Sequence, residues 1–270
     1  MARVTERRAA GPRRADLRPA LIVAHGSPSS PGRPERAIRA LAERVGAELP
    51  GWAVRGATLA APGALEGALA DLPARPPVIF PFFMSDGWFV RSRLPQRVRA
   101  CIGETGTQLR PLGVAAALHR LCLDYARDAA VRAGFAPEET AVLLAAHGSP
   151  HDPRVRQAAE AAARCLAAAG AFRELRVGFI DEPPFLEEAA RLAGPVLCLP
   201  FFAMQAGHVE IDLPKALRAA AFPGPQLEPI GCHPAVVGIV RDALTAGAAA
   251  EAALPGVTGA VAGSSRAALR

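Results

Sequence analysis

From residue 20 onward, short apolar runs alternate with longer stretches whose apolar positions recur at helical spacing. That alternation predicts βα units built on a parallel sheet. In the first half, strands are expected at 20–24, 52–59, 77–83 and 108–112, with helices at 33–49, 64–72, 94–102 and 115–133. The second half repeats the order, with strands at 140–145, 174–180, 195–201 and 226–230 and helices at 153–169, 184–192, 213–221 and 234–248. Proline-rich turns at 28–34 and 73–77 punctuate the pattern.

Two segments occur twice. AVLLAAHGSPHDPR (141–154) and PVLCLPFFAMQAGHVEIDLPK (195–215) answer to ALIVAHGSPSSPG (20–32) and PVIFPFFMSDGWFVRSRLPQ (77–96). The offsets drift slightly, from 122 residues between His25 and His147 to 119 between Phe89 and His208 and 118 between Pro111 and Pro229. Small loop insertions produce such drift, and a period of a whole domain excludes a solenoid. The expected fold is α/β: two similar domains, 19–135 and 136–254, joined near 134–139 and facing each other across a cleft. Each would be a mostly parallel four-stranded sheet flanked by helices. A basic lead-in (1–18) and a Gly/Ala/Ser-rich tail (255–270) lie outside them.

A length of 270 residues suits two such domains. No uninterrupted apolar run reaches the roughly 18–20 residues of a membrane helix. The N-terminal arginines precede an apolar run of only five residues, 20–24, too short for a signal peptide, and Glu6 and Asp16 argue against a transit peptide, so a cytoplasmic protein is expected. The net charge of +6 does not indicate nucleic acid: Lys215 is the only lysine, asparagine is absent and alanine abundant, a skew typical of GC-rich coding. No basic stripe interleaved with aromatics supports that reading either. Five scattered cysteines without a CxxC pair give neither a disulfide framework nor a thiolate zinc site; buried reduced thiols are expected.

Chemistry concentrates at strand ends, where open α/β sheets bind their ligands. His147 follows the first strand of the second half and His208 the third, strands that can be sheet neighbours. Two imidazoles converging there would suit Fe, Co, Ni or Zn. A single strand-end histidine is more often a hydrogen-bonded turn residue, but two in matched contexts favour a site. Asp181 and Glu182 end the intervening strand; either would complete a metal site or accept protons, and the alternative is favourable charge at a helix start. In the first half His25 survives, but Phe89 stands at the position of His208, and Ala60 and Ala61 stand at the acidic pair. That half is expected to supply a wall, with Trp88 and Phe89 as a flat apolar surface and Arg91 and Arg93 beside them for an acidic ligand. His151 is a candidate auxiliary ligand, His233 a capping residue or one that supports the ligands from behind, and His119 an ordinary helix residue. GxSxG, Walker A and GxGxxG patterns are absent.

The order strand-AHGS, acidic strand end, strand-PFF, GHV and DLP, imperfectly repeated, resembles the class II tetrapyrrole chelatases, in particular the sirohydrochlorin cobaltochelatases and ferrochelatases of cobalamin and sirohaem synthesis. The resemblance spans most of the chain. It implies insertion of Co2+ or Fe2+, as substrate, into a metal-free tetrapyrrole held between the domains, without ATP or an organic cofactor. By the same resemblance His147 and His208 hold the metal or take the pyrrole protons, assisted by Asp181 or Glu182.

Overall fold

The computed structural model describes residues 13–253. Most of the basic lead-in and the whole tail after 254 lie outside the described residues; the described end of the lead-in forms one 3-10 turn, Arg14–Asp16, and enters the first strand. The first half contains β1 (Arg18–Ala24), α1 (Gly32–Ala47), β2 (Trp52–Thr58), α2 (Ala64–Ala70), β3 (Val78–Pro81), α3 (Leu94–Ile102), β4 (Thr107–Gln108) and α4 (Ala116–Arg132). The second contains β5 (Ala141–Ala146), α5 (Pro153–Ala168), β6 (Glu174–Phe179), α6 (Leu186–Ala189), β7 (Val196–Pro200), α7 (Leu213–Ala219) and α8 (Val236–Ala253). The sheets run β2-β1-β3-β4 and β6-β5-β7, with every pairing parallel. Central strand β5 is buried at all six positions, and β1 at all but its first. Helices on both faces explain why these strands read as continuous apolar runs and not as alternating ones.

The second sheet has three strands, not the expected four. Residues 226–230 make one bridge, in which Cys198 N donates to Pro225 O and Leu227 N to Cys198 O, both at 2.9 Å. Pro225 and Pro229 have no N–H to extend the ladder, and the chain turns into a 3-10 segment, Ile230–Cys232. In the first half the corresponding strand is only two residues long. The helix expected at 184–192 shrinks to the four residues of α6, because Phe179 N donates to Pro184 O and ties the proline segment to the end of β6.

The halves are not packed separately. Helix α4 lies against β7 and α5 of the second half, with Ala129 and Ala130 on Leu197, while α8 lies against β3 and α1 of the first. Arg241 of α8 pairs with Glu48 at the end of α1 at 2.8 Å. These are equivalent helices, so each half gives its last helix to the other. A shared central core results, containing Ile22 and Phe80 together with Leu144, Phe179 and Leu244, while each half keeps a smaller cluster of its own. At about 1.5–3 kcal/mol for each fully buried large apolar side chain, this shared core fixes the mutual orientation of the two sheets. No helix among the described residues is long and apolar enough to cross a membrane.

Candidate active site

Neighbouring strands β5 and β7 pair up to Ala145 and Pro200, so the residues beyond them emerge at one edge. His147 follows β5 directly; His208 opens a π-helical turn, His208–Asp212, that leads into α7. Their Nε2 atoms lie 3.1 Å apart, with the rings at 87°. His147 Nδ1 faces Gly148 O at 2.8 Å and Asp181 Oδ2 at 3.3 Å; His208 Nδ1 faces Asp212 Oδ2 at 2.8 Å. Carbonyl and carboxylate oxygens only accept, so both rings carry hydrogen on Nδ1, an assignment made from the partners. Two Nε2 lone pairs are therefore left facing each other, a repulsive arrangement that a proton or a metal cation relieves. A metal at about 2.0–2.1 Å from each nitrogen would see them at roughly 95–100° given the 3.1 Å separation. Both rings are partly exposed, 39% for His147 and 51% for His208, so the pair is open to ligand. Among the described residues no three His, Cys, Asp or Glu side chains are grouped to hold an ion.

The two acidic residues after β6 have different surroundings. Asp181 touches His147, whereas Glu182 is 12% exposed and fully engaged: Oε1 accepts from Ser149 N at 2.8 Å and Oε2 from Arg156 Nη2 at 2.7 Å and Nε at 3.0 Å. Glu182 thus clamps the HGSP turn to α5. The clamp needs Gly148, which has φ 75° and where a Cβ would sit 2.8 Å from Glu182 Cγ and 2.9 Å from Phe179 Cβ. Gly148→Ala is expected to cost about 1–3 kcal/mol for the left-handed backbone alone, more with the clash, and to displace His147. Denaturant unfolding checks this; an unchanged midpoint would show that the turn relaxes freely.

Asp212 escaped the sequence reading, although its i, i+4 spacing from His208 within HVEID was visible. The first half repeats the geometry without the chemistry. His25 Nδ1 faces Gly26 O at 2.9 Å, and its ring meets Phe89 at 4.3 Å and 90°, against 4.4 Å and 87° for the histidine pair. Phe89 opens the matching π turn, Phe89–Arg93, which puts Arg93 where Asp212 stands. Glu35, at the helix position of Arg156, accepts from Thr58 N and Oγ1 at 2.8 and 2.9 Å and so ties α1 to the end of β2.

Each half reaches the other's π turn. Asp152 Oδ2 accepts from Trp88 N at 3.1 Å, and Arg33 pairs with Glu210. Between the halves lies a cleft of about 190 Å³, where His25, Phe82 and Met84 face Phe202, Met204 and Ala206. Trp88 and Phe89 are exposed; Arg91 is paired with Asp86 at 2.7 Å, and Arg93 approaches Gln96 at 3.4 Å. The remaining histidines do not join the pair. The exposed His151 ring makes no hydrogen bond among the described residues, and His119 Nε2 donates to Gly113 O. His233 Nδ1 accepts from Ala235 N, and burial, then Arg132, lower its pKa. All five cysteines are free, but only Cys122 and Cys198 are buried, which pushes both thiols far up; Cys101 and Cys232 are exposed.

A protein-family model, CbiX, matches residues 141–246, the half with both histidines. The solved structure of CbiX, described as the terminal enzyme for biosynthesis of siroheme in denitrifying bacteria, is 42% identical, with a TM-score of 0.78 over 85% of this chain and 99% of that one. The chain belongs to the CbiX family of class II chelatases. SirB from Bacillus subtilis with Fe3+ (16% identity, TM-score 0.70, 87% and 97% covered) shares the fold of this CbiX-family chain. So does SirB from Bacillus subtilis subspecies spizizenii in complex with cobalt (17%, 0.64, 86% and 96%). Among curated proteins none matches the chain.

Proposed function

We propose that this CbiX-family chain inserts Co2+ or Fe2+ into sirohydrochlorin or a closely related tetrapyrrole, without an organic cofactor. The observation that carries the site assignment is the 3.1 Å Nε2–Nε2 separation with both Nδ1 atoms held by acceptors. The two lone pairs bind the incoming divalent ion. As the macrocycle nitrogens take the metal, two pyrrole N–H protons must leave, and the Nε2 positions just vacated accept them. The 3.1 Å gap between the two Nε2 atoms holds one proton at a time, so the two protons pass through it in succession, with Asp181 and Asp212 facing the rings throughout. Partial exposure of both rings lets those protons pass to water. The exposed Trp88 and Phe89 would offer the macrocycle an apolar face, and His25, Arg91 and Arg93 would meet its peripheral carboxylates. Free thiols throughout suit a reducing, cytoplasmic setting.

Absorption spectra of the free tetrapyrrole mixed with Co2+ or Fe2+ test the reading, with and without protein. Catalytic acceleration is expected. Uptake of one equivalent without turnover would make the chain a carrier, and no acceleration with either metal would refute the proposal.

A further inference from the structure

In an α-helix the Leu213 N–H would donate to Val209 O, four residues back. Here it donates to His208 O, five back, which is what makes the turn π-helical. The next candidate donor for Val209 O is residue 214, and Pro214 has no N–H. Val209 is 1% exposed, so its carbonyl sits in a buried turn with its regular donors gone. Gln226, from the segment that bridges β7, fills the gap: its Nε2 donates to Val209 O at 3.4 Å.

The first half solves the same problem in the same way. Leu94 N donates to Phe89 O, Pro95 removes the next donor, and Gln108 Nε2 on β4 donates to Val90 O at 2.9 Å. Gln108 does so although its Oε1 stays buried without a partner. The duplication has thus kept a glutamine at this position in both halves, whereas the histidine that opens the turn is kept in only one.

We propose that Gln226 is a positioning residue for metal capture, holding open the π turn that aims His208 at His147. The extra residue in a π turn rotates the preceding side chains by about 100° relative to an α-helix, so a turn that relaxes to α geometry takes His208 out of register with His147. Gln226 touches neither metal nor macrocycle; it acts through Val209 and the turn. The inference rests on the assignment of metal binding to the histidine pair.

Co2+ titration of the full chain, followed by its visible absorption bands, tests it with no tetrapyrrole present. Gln226→Met keeps the bulk and loses the donor, and should weaken Co2+ binding about tenfold or more, as loss of an outer partner of a ligand does, while Gln108→Met stays within about twofold of the parent. Each should lower the melting temperature, because each orphans one buried carbonyl. If Gln226→Met does not fold, Gln226→Asn, whose donor is drawn back by one methylene, takes its place. Parental Co2+ affinity in the Gln226 variant, or equal weakening in both variants, would overturn the proposal. His208→Ala separates the two claims: if it binds Co2+ normally, the site assignment fails; if it does not while Gln226→Met does, only the role of Gln226 fails.

Discussion

Replacing His208 by alanine is expected to slow metal insertion on the order of 10²-fold or more, the range for loss of a positioned proton acceptor, with further loss from weaker metal capture. His208 supplies one of the two facing Nε2 atoms, and Asp212 holds its other nitrogen at 2.8 Å. No other histidine pairs with His147: the His151 ring makes no hydrogen bond among the described residues, and His233 Nδ1 accepts from Ala235 N. His25→Ala should be milder, because the ring beside His25 is Phe89, which offers no lone pair. Initial rates of Co2+ insertion for the two variants check this directly. Equal losses would mean that the halves share the chemistry.

The double substitution Phe89→His, Arg93→Asp is expected to raise Co2+ binding from one to two equivalents per chain. His25 already has its Nδ1 fixed by Gly26 O, and Phe89 already stands edge-on to it at 4.3 Å. Arg93 occupies the i+4 place of the same kind of turn from which Asp212 orients His208. Phe89 is 37% exposed, so removing the phenyl ring forfeits only part of its burial. Equilibrium dialysis against Co2+ gives the stoichiometry; a value that remains at one would show that the first half differs in more than side chains.

The chain made some of this legible and concealed the rest for identifiable reasons. Fully apolar runs such as AVLLAA announced buried parallel strands, and the paired HGS and PFF segments announced the duplication. His147 and His208 could be placed together because both follow strand ends, and the structure brings them to 3.1 Å. The short-range pattern overstated residues 226–230, where Leu227 and Ile230 look strand-like but the flanking prolines limit the ladder to one bridge. Glu182 looked equivalent to Asp181 because its partner, Arg156, lies 26 residues away. The exchange of α4 and α8 was illegible because an amphipathic helix does not encode which sheet it will cover. Asp212 and Gln226 act through a π turn, which no local pattern announces, and the proline that follows it, Pro214, reads in sequence as an ordinary helix start.

The most direct test of the account is anomalous scattering at the cobalt edge from crystals of the protein equilibrated with Co2+. One peak is expected, bound by Nε2 of His147 and of His208 in the second half, with none beside His25. A principal peak at His25, or one held by carboxylates away from both imidazoles, would contradict it.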